Sequence, residues 1–158
     1  MLIALLALQL CGCDGASVMG EPAPRGYVYQ EDGAYYLAVV DVCPAVKLAS
    51  IQVAYAQEDT FVDELEPVWR ATVVGEPASS VALFETAGNV QVDYSDASPD
   101  LSRNLVVSWI EAGDPGEELG GSVSGVLTDI GSDQVLWAEG IESESSFDKK
   151  LPTWKFGC

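Results

Sequence analysis

The chain has no histidine, and its 7 lysines and arginines face 25 aspartates and glutamates, a formal charge of −18 over 158 residues. Without histidine, no side chain has an ordinary pKa that makes it a base near neutral pH. Ser-His-Asp and Cys-His catalysis are therefore excluded. So little positive charge cannot neutralise a phosphate backbone, which excludes nucleic acid as a partner. No glycine-rich phosphate loop and no nucleophile elbow occur. No apolar run reaches the ~18 residues that a membrane-spanning helix needs. A 3.6-residue apolar stripe of useful length is also missing. The one helical candidate is "TFVDELE", Thr60 to Glu66, which stops at Pro67.

What the chain does have is alternation. Hydrophobic residues make up 48% of it, too many for a disordered acidic tail. "GYVYQEDGAYYLAVVDV" predicts a hairpin, because Asp32-Gly33 supplies the positive φ angles of a two-residue turn. That register sets Tyr29 opposite Tyr36 with Tyr27 on the same face, and turns Val28, Tyr35, Leu37 and Val39 to the other. "SIQVAYA", "VWRATVV", "SVALFE", "NVQVDY", "SVSGVLTD" and "QVLWAEG" read as further strands. "NLVVSWI" is apolar on nearly both faces and predicts a central strand. "TWKFGC" alternates Trp154, Phe156 and Cys158 against Thr153 and Lys155, and predicts a last strand. Many short strands between turn signals predict an all-β fold, an antiparallel β-sandwich or a small barrel, with residues 27–158 as one domain. The architecture is immunoglobulin-like only broadly, because Cys43 stands too far from both Trp69 and Cys158 for the immunoglobulin spacing.

The first residues carry an address. "MLIALLALQL" is uncharged and has the length of the apolar part of a secretory signal. It ends in "LQLCGCDG". A CxxC zinc or redox motif needs two residues between its cysteines, and here there is one; a zinc site also needs a second ligand pair at matching spacing, and the remaining cysteines are Cys43 and Cys158 with no histidine. Leu10-Cys11-Gly12-Cys13 resembles the lipobox of bacterial lipoprotein signal peptides: an aliphatic residue, a small one, Gly or Ala, then the cysteine that is lipidated. The resemblance covers residues 1–13 only. It implies cleavage after residue 12, a diacylglyceryl group on Cys13, and a membrane anchor on the outer face of the cytoplasmic membrane or in the periplasm. One departure is the absence of Lys or Arg ahead of the apolar run. The alternative is an ordinary secretory signal cut nearby. Asp14 resembles the inner-membrane retention signal of some two-membrane bacteria. Asp14 to Gly26, rich in small residues and proline, reads as a tether of ~20 Å.

With Cys11 removed and Cys13 lipidated, Cys43 and Cys158 are the remaining pair. In an oxidising compartment they predict a disulfide, which in the chain-entropy account stabilises by about 4.7 kcal/mol for a loop of that size.

Candidate sites are few. Glu117-Glu118 lies in the Gly- and Pro-rich "EAGDPGEELGG", which reads as a solvated loop rather than an acid–base pair. Asp93, Asp96 and Asp100 in "DYSDASPD" offer oxygens for calcium, although their spacing departs from the EF-hand pattern and Ser and Pro explain the turn without a metal. Tyr27, Tyr29 and Tyr36 on one hairpin face form either an aromatic platform for a sugar or peptide, or a face packed on the core with Ala38 and Val40. Lys149, Lys150 and Lys155 read as protection of an edge strand. These features predict a non-catalytic binding module of the cell envelope with no cofactor, whose partner is another envelope or secreted protein. The alternatives are a carbohydrate or cell-wall binder using the tyrosine face, and a small carboxylate hydrolase.

Overall fold

A computed structural model describes residues 26–40, 47–75, 78–86, 88–112 and 119–154. Ten strands form two five-stranded sheets: β1 Gly26–Glu31, β2 Ala34–Val39, β3 Lys47–Tyr55, β4 Pro67–Val73, β5 Ser80–Ala82, β6 Val90–Ser95, β7 Leu105–Ala112, β8 Leu119–Gly125, β9 Gln134–Trp137 and β10 Gly140–Ser143. Sheet A runs β10-β9-β1-β2-β5 and sheet B runs β6-β4-β3-β7-β8, with every pairing among the described residues antiparallel. The protein is an all-β sandwich, not a closed barrel.

The first hairpin forms in the register its turn dictates. Asp32 and Gly33 take φ of 51° and 83°, and Tyr29 pairs with Tyr36. Two positive φ values match the right-handed twist of the flanking strands, which is why Asp-Gly serves here. The period-2 alternation then decides what faces inward. Val28 and Leu37 from sheet A meet Ile51, Val53, Trp69, Leu105 and Val107 from sheet B, each at 1% exposure or less. Each such side chain contributes about 1.5–3 kcal/mol by leaving water. β7 lies between β3 and β8, as its apolar sequence predicts, yet its outer face is open and Ile110 is 44% exposed.

Two sequence expectations need correction. Thr60–Glu66 contains only a 3-10 turn, Val62–Glu64, because Pro67 enters β4 immediately afterwards. The sequence predicts a last strand over residues 153–158, but its first two residues, Thr153 and Trp154, close a helix, α1, Glu144–Trp154, and 155–158 lie outside the described residues. Lys149 and Lys150 therefore lie on a helix and do not guard an edge strand. In the sequence Phe147, Leu151 and Trp154 stand at i, i+4 and i+7, a short stripe interrupted by Pro152, which reads as a helix break. The Phe147–Leu151 pair lands on aromatic surface. Phe147 is 1% exposed and packs with Val135 and Trp137, beside Tyr27, Tyr29, Val40 and Leu151, on the outer face of sheet A. This second cluster is separate from the core between the sheets. Among the described residues no helix is long and apolar enough to cross a membrane. Cys13, Cys43, Cys158 and Lys155 lie outside the described residues.

Candidate functional site

The tyrosines do share one face, and α1 covers part of it. The Tyr27 ring lies 4.8 Å from Phe147 and 5.9 Å from Tyr29, centroid to centroid. Tyr29 and Tyr36 are stacked at 5.2 Å with their planes 19° apart, so their rings overlap instead of lying side by side as a shelf. The Tyr29 hydroxyl is 3.2 Å from Ser80 Oγ. Burial, then Tyr29 and the helix carboxylates Asp148 and Glu144, push the Tyr27 phenol up from its usual range. Burial first, then Glu85 and Glu31, does the same to Tyr36. Both hydroxyls stay protonated at neutral pH. The result is a face that anchors a helix and leaves a half-buried aromatic pair beside it.

The aspartates do not converge. Asp93 Oδ2 accepts from the Thr72 hydroxyl at 2.7 Å and Oδ1 from Gln91 Nε2 at 3.3 Å. Asp100 accepts from the Ser102 hydroxyl and backbone N–H, which lowers its pKa, with the Arg103 charge adding to the effect. Among the described residues no group of three acidic or sulfur side chains is placed to hold a metal ion. Asp93, Asp96 and Asp100, the residues the sequence offered for calcium, are not gathered into such a group. Asp93 sits within a strand facing its neighbours, and Asp100 is spent on closing its own turn.

A concavity lies elsewhere, on the outer face of sheet B. A trough of about 620 Å³ crosses β4, β3, β7 and β8, with Asp93 of β6 at one side and Val62 and Asp63 of the 3-10 turn on its rim. Its lining is the outward half of each strand's alternation: Gln52 on β3, Arg70 and Thr72 on β4, Ser108 and Ile110 on β7, Ser122 on β8. Gln52 holds the arginine in place. Its Oε1 accepts from Arg70 Nε at 3.1 Å and Nη2 at 2.7 Å, while its Nε2 donates to the Leu65 carbonyl at 3.2 Å. Both ends of the amide are thus committed, and the guanidinium is oriented by a neutral group. Tyr94, 49% exposed, pairs with Arg70 across β4 and β6 and so stands on the same face.

The floor is low for a reason internal to the sandwich. A Cβ at Gly120 would come within 2.4 Å of the Trp109 carbonyl oxygen, and one at Gly121 within 2.5 Å of Trp109 Cζ2. Glycine is required at both places by the close approach of β7: Gly120, opposite the outward Ile110, leaves the trough a side free of bulk, while Gly121, opposite the buried Trp109, makes room for its ring on the core side. No family model matches the chain, and no curated protein and no solved structure matches it either.

Apart from Asp93, none of these trough residues stands out in the sequence as a site. The available signal was Arg70, a basic residue in a chain with only 7, set in mid-strand among apolar neighbours in "VWRATVV". Its meaning depended on Gln52, eighteen positions earlier, which is its neighbour only through strand pairing.

Proposed function

We propose that this chain is a lipid-anchored, non-catalytic binding module of the bacterial cell envelope, with its ligand site in the trough on sheet B. The observation that carries the binding reading is the Gln52–Arg70 and Thr72–Asp93–Gln91 network. It holds a guanidinium and a carboxylate in place on an open concave surface through neighbouring side chains. Preset polar groups lower the ordering cost of association. The cell-envelope address rests on the resemblance of Leu10–Cys13 to a lipobox. The Cys43–Cys158 disulfide belongs to the same reading and would tie the end of the chain to the segment after β2.

Two measurements test the proposal. The intact mass of the protein extracted in detergent from its own host should start at Cys13, carry acyl chains, and lack two hydrogens for the disulfide. An unlipidated mass overturns the anchor. For the binding site, the isotope-labelled full chain should show amide shifts at residues 50–52, 70–72 and 108–110 when titrated with a fractionated envelope extract. Shifts confined to Tyr27–Tyr36, or none, overturn the trough as the site.

A further inference from the structure

The chemistry of the trough says what kind of ligand it takes. Four features bear on this, beginning with charge. The trough carries one guanidinium, Arg70, and two carboxylates, Asp63 and Asp93, on a protein of formal charge −18. The long-range field therefore opposes an anionic ligand.

The second is the backbone. β4, β3 and β7 each have a strand on both sides, so their N–H and C=O groups are used within the sheet. A peptide laid over this face would find no ladder to join, and strand addition requires an open edge. The exposed apolar side chains at the trough are Ile110 and Val62, at 44% and 37% exposure, too little for a helix-in-groove site.

The third is the character of the polar groups. Arg70 offers a planar donor fork, and Asp93 a carboxylate already held from one side by Thr72 and Gln91. Among the described residues the Ser50 and Ser122 hydroxyls have no hydrogen-bond partner, and each can both donate and accept. This mixture of fixed planar groups and amphoteric hydroxyls suits a ligand whose own groups are donors and acceptors at once. The fourth is the aromatic ring of Tyr94 on the same face beside Arg70, with Ile110 as apolar floor. Such surface suits the C–H faces of a sugar ring.

Together these lead us to infer that the sheet B trough binds a neutral saccharide chain, with Arg70 and Asp93 engaging its hydroxyls. The inference rests on the reading of the trough as the binding site and adds the class of ligand. The site lies on the opposite sheet from the Tyr27, Tyr29 and Tyr36 face, so the two surfaces act independently.

The test uses the full isotope-labelled chain in a detergent without a sugar headgroup. The probes are hexasaccharides of β-1,4-glucose, β-1,3-glucose, β-1,4-xylose, β-1,4-mannose and β-1,4-N-acetylglucosamine. Oligogalacturonate serves as the anionic probe. At least one neutral hexasaccharide should shift the amides of residues 50–52, 70–72 and 108–110. Arg70→Gln and Asp93→Asn should each weaken that binding about tenfold or more without loss of the native spectrum. Both side chains are exposed, so the fold does not depend on them.

Binding that shifts Tyr27–Tyr36 instead, or that survives both substitutions, overturns the inference. Preference for oligogalacturonate overturns the neutral class while leaving the trough as a binding site. If the envelope extract shifts the trough and no hexasaccharide does at millimolar concentration, the saccharide inference fails and the proposed binding site stands. If neither shifts it, both fail.

Discussion

Trp109 Nε1 donates a 3.0 Å hydrogen bond to Glu111 Oε1, joining two inward-facing side chains two residues apart on β7. Both are 4% exposed, and Glu111 is the one charged residue buried among those described. A carboxylate inside a sandwich is tolerated only when its oxygens are satisfied, and the indole supplies part of that need. Trp69 makes the contrast. It is fully buried, yet its Nε1 has no partner among the described residues. Trp109→Phe should therefore cost about 1.5–3 kcal/mol for the lost bond to a charged group, beyond the smaller ring. Trp69→Phe should cost less, because it also removes an unpaired donor whose burial is worth about 1–3 kcal/mol. Urea midpoints of the two variants check the order.

The glycines around Trp109 predict a steric series. Gly120→Ala and Gly121→Ala would each place a methyl group within 2.5 Å of Trp109, against its carbonyl oxygen and its ring respectively. Each should destabilise by about 1–3 kcal/mol, with Gly120 the worse because a paired backbone cannot step aside. Gly88→Ala meets nothing within 4 Å and should stay within about 0.5 kcal/mol of the parent. Thermal melts of the three variants decide this.

Helix α1 should behave as a separable unit. Phe147 is fully buried, alone among the α1 residues whose side chains are described, and its cluster does not merge with the main core. Phe147→Ala removes about 3–5 kcal/mol of packing. That loss should appear as local undocking. Amide exchange should accelerate through residues 144–151, while β3, β4 and β7 keep their protection.

Lys150 gives a pH signature. Its Nζ donates to Glu142 at 3.0 Å and Glu139 at 3.4 Å, and it sits 4.2 Å from the Trp137 ring centroid. The Glu142 bond is the largest cause of its raised pKa, and burial opposes it in part. A raised lysine pKa stabilises the fold fully below the unfolded value, and that stability is lost as pH rises through the folded value. The stability gap between the parent and Lys150→Met should hold steady from neutral pH to about 9 and close above the ordinary lysine value of about 10.4. A gap that opens with rising pH would contradict the assignment.

How much of this was legible beforehand can be argued from particular residues. The Tyr29–Tyr36 pairing was readable because Asp32-Gly33 sets a two-residue turn, and a turn sets its register locally. Strand existence was readable from period-2 alternation. α1 was not, since Phe147, Leu151 and Trp154 form a short stripe interrupted by Pro152, and the aromatic surface beneath Phe147 and Leu151 is what makes the helix worthwhile. The trough was hidden for a related reason. Its polar strand residues, Gln52, Arg70, Thr72, Asp93, Ser108 and Ser122, occupy ordinary outward positions, and alternation says only that such a position meets solvent.

The sequence by itself determined the β-rich architecture, the first hairpin and its register, the acidic surface and the absence of histidine chemistry. These follow from local turn geometry, alternation and composition, which need no partner strand. Tertiary structure alone decided that Gln52 orients Arg70, that Thr72 and Gln91 hold Asp93, and that Gly120 of β8 lowers the floor beside them. Those relations arise from strand order and sheet twist, which set residues distant in the chain side by side, and no local pattern encodes which strand will be the neighbour.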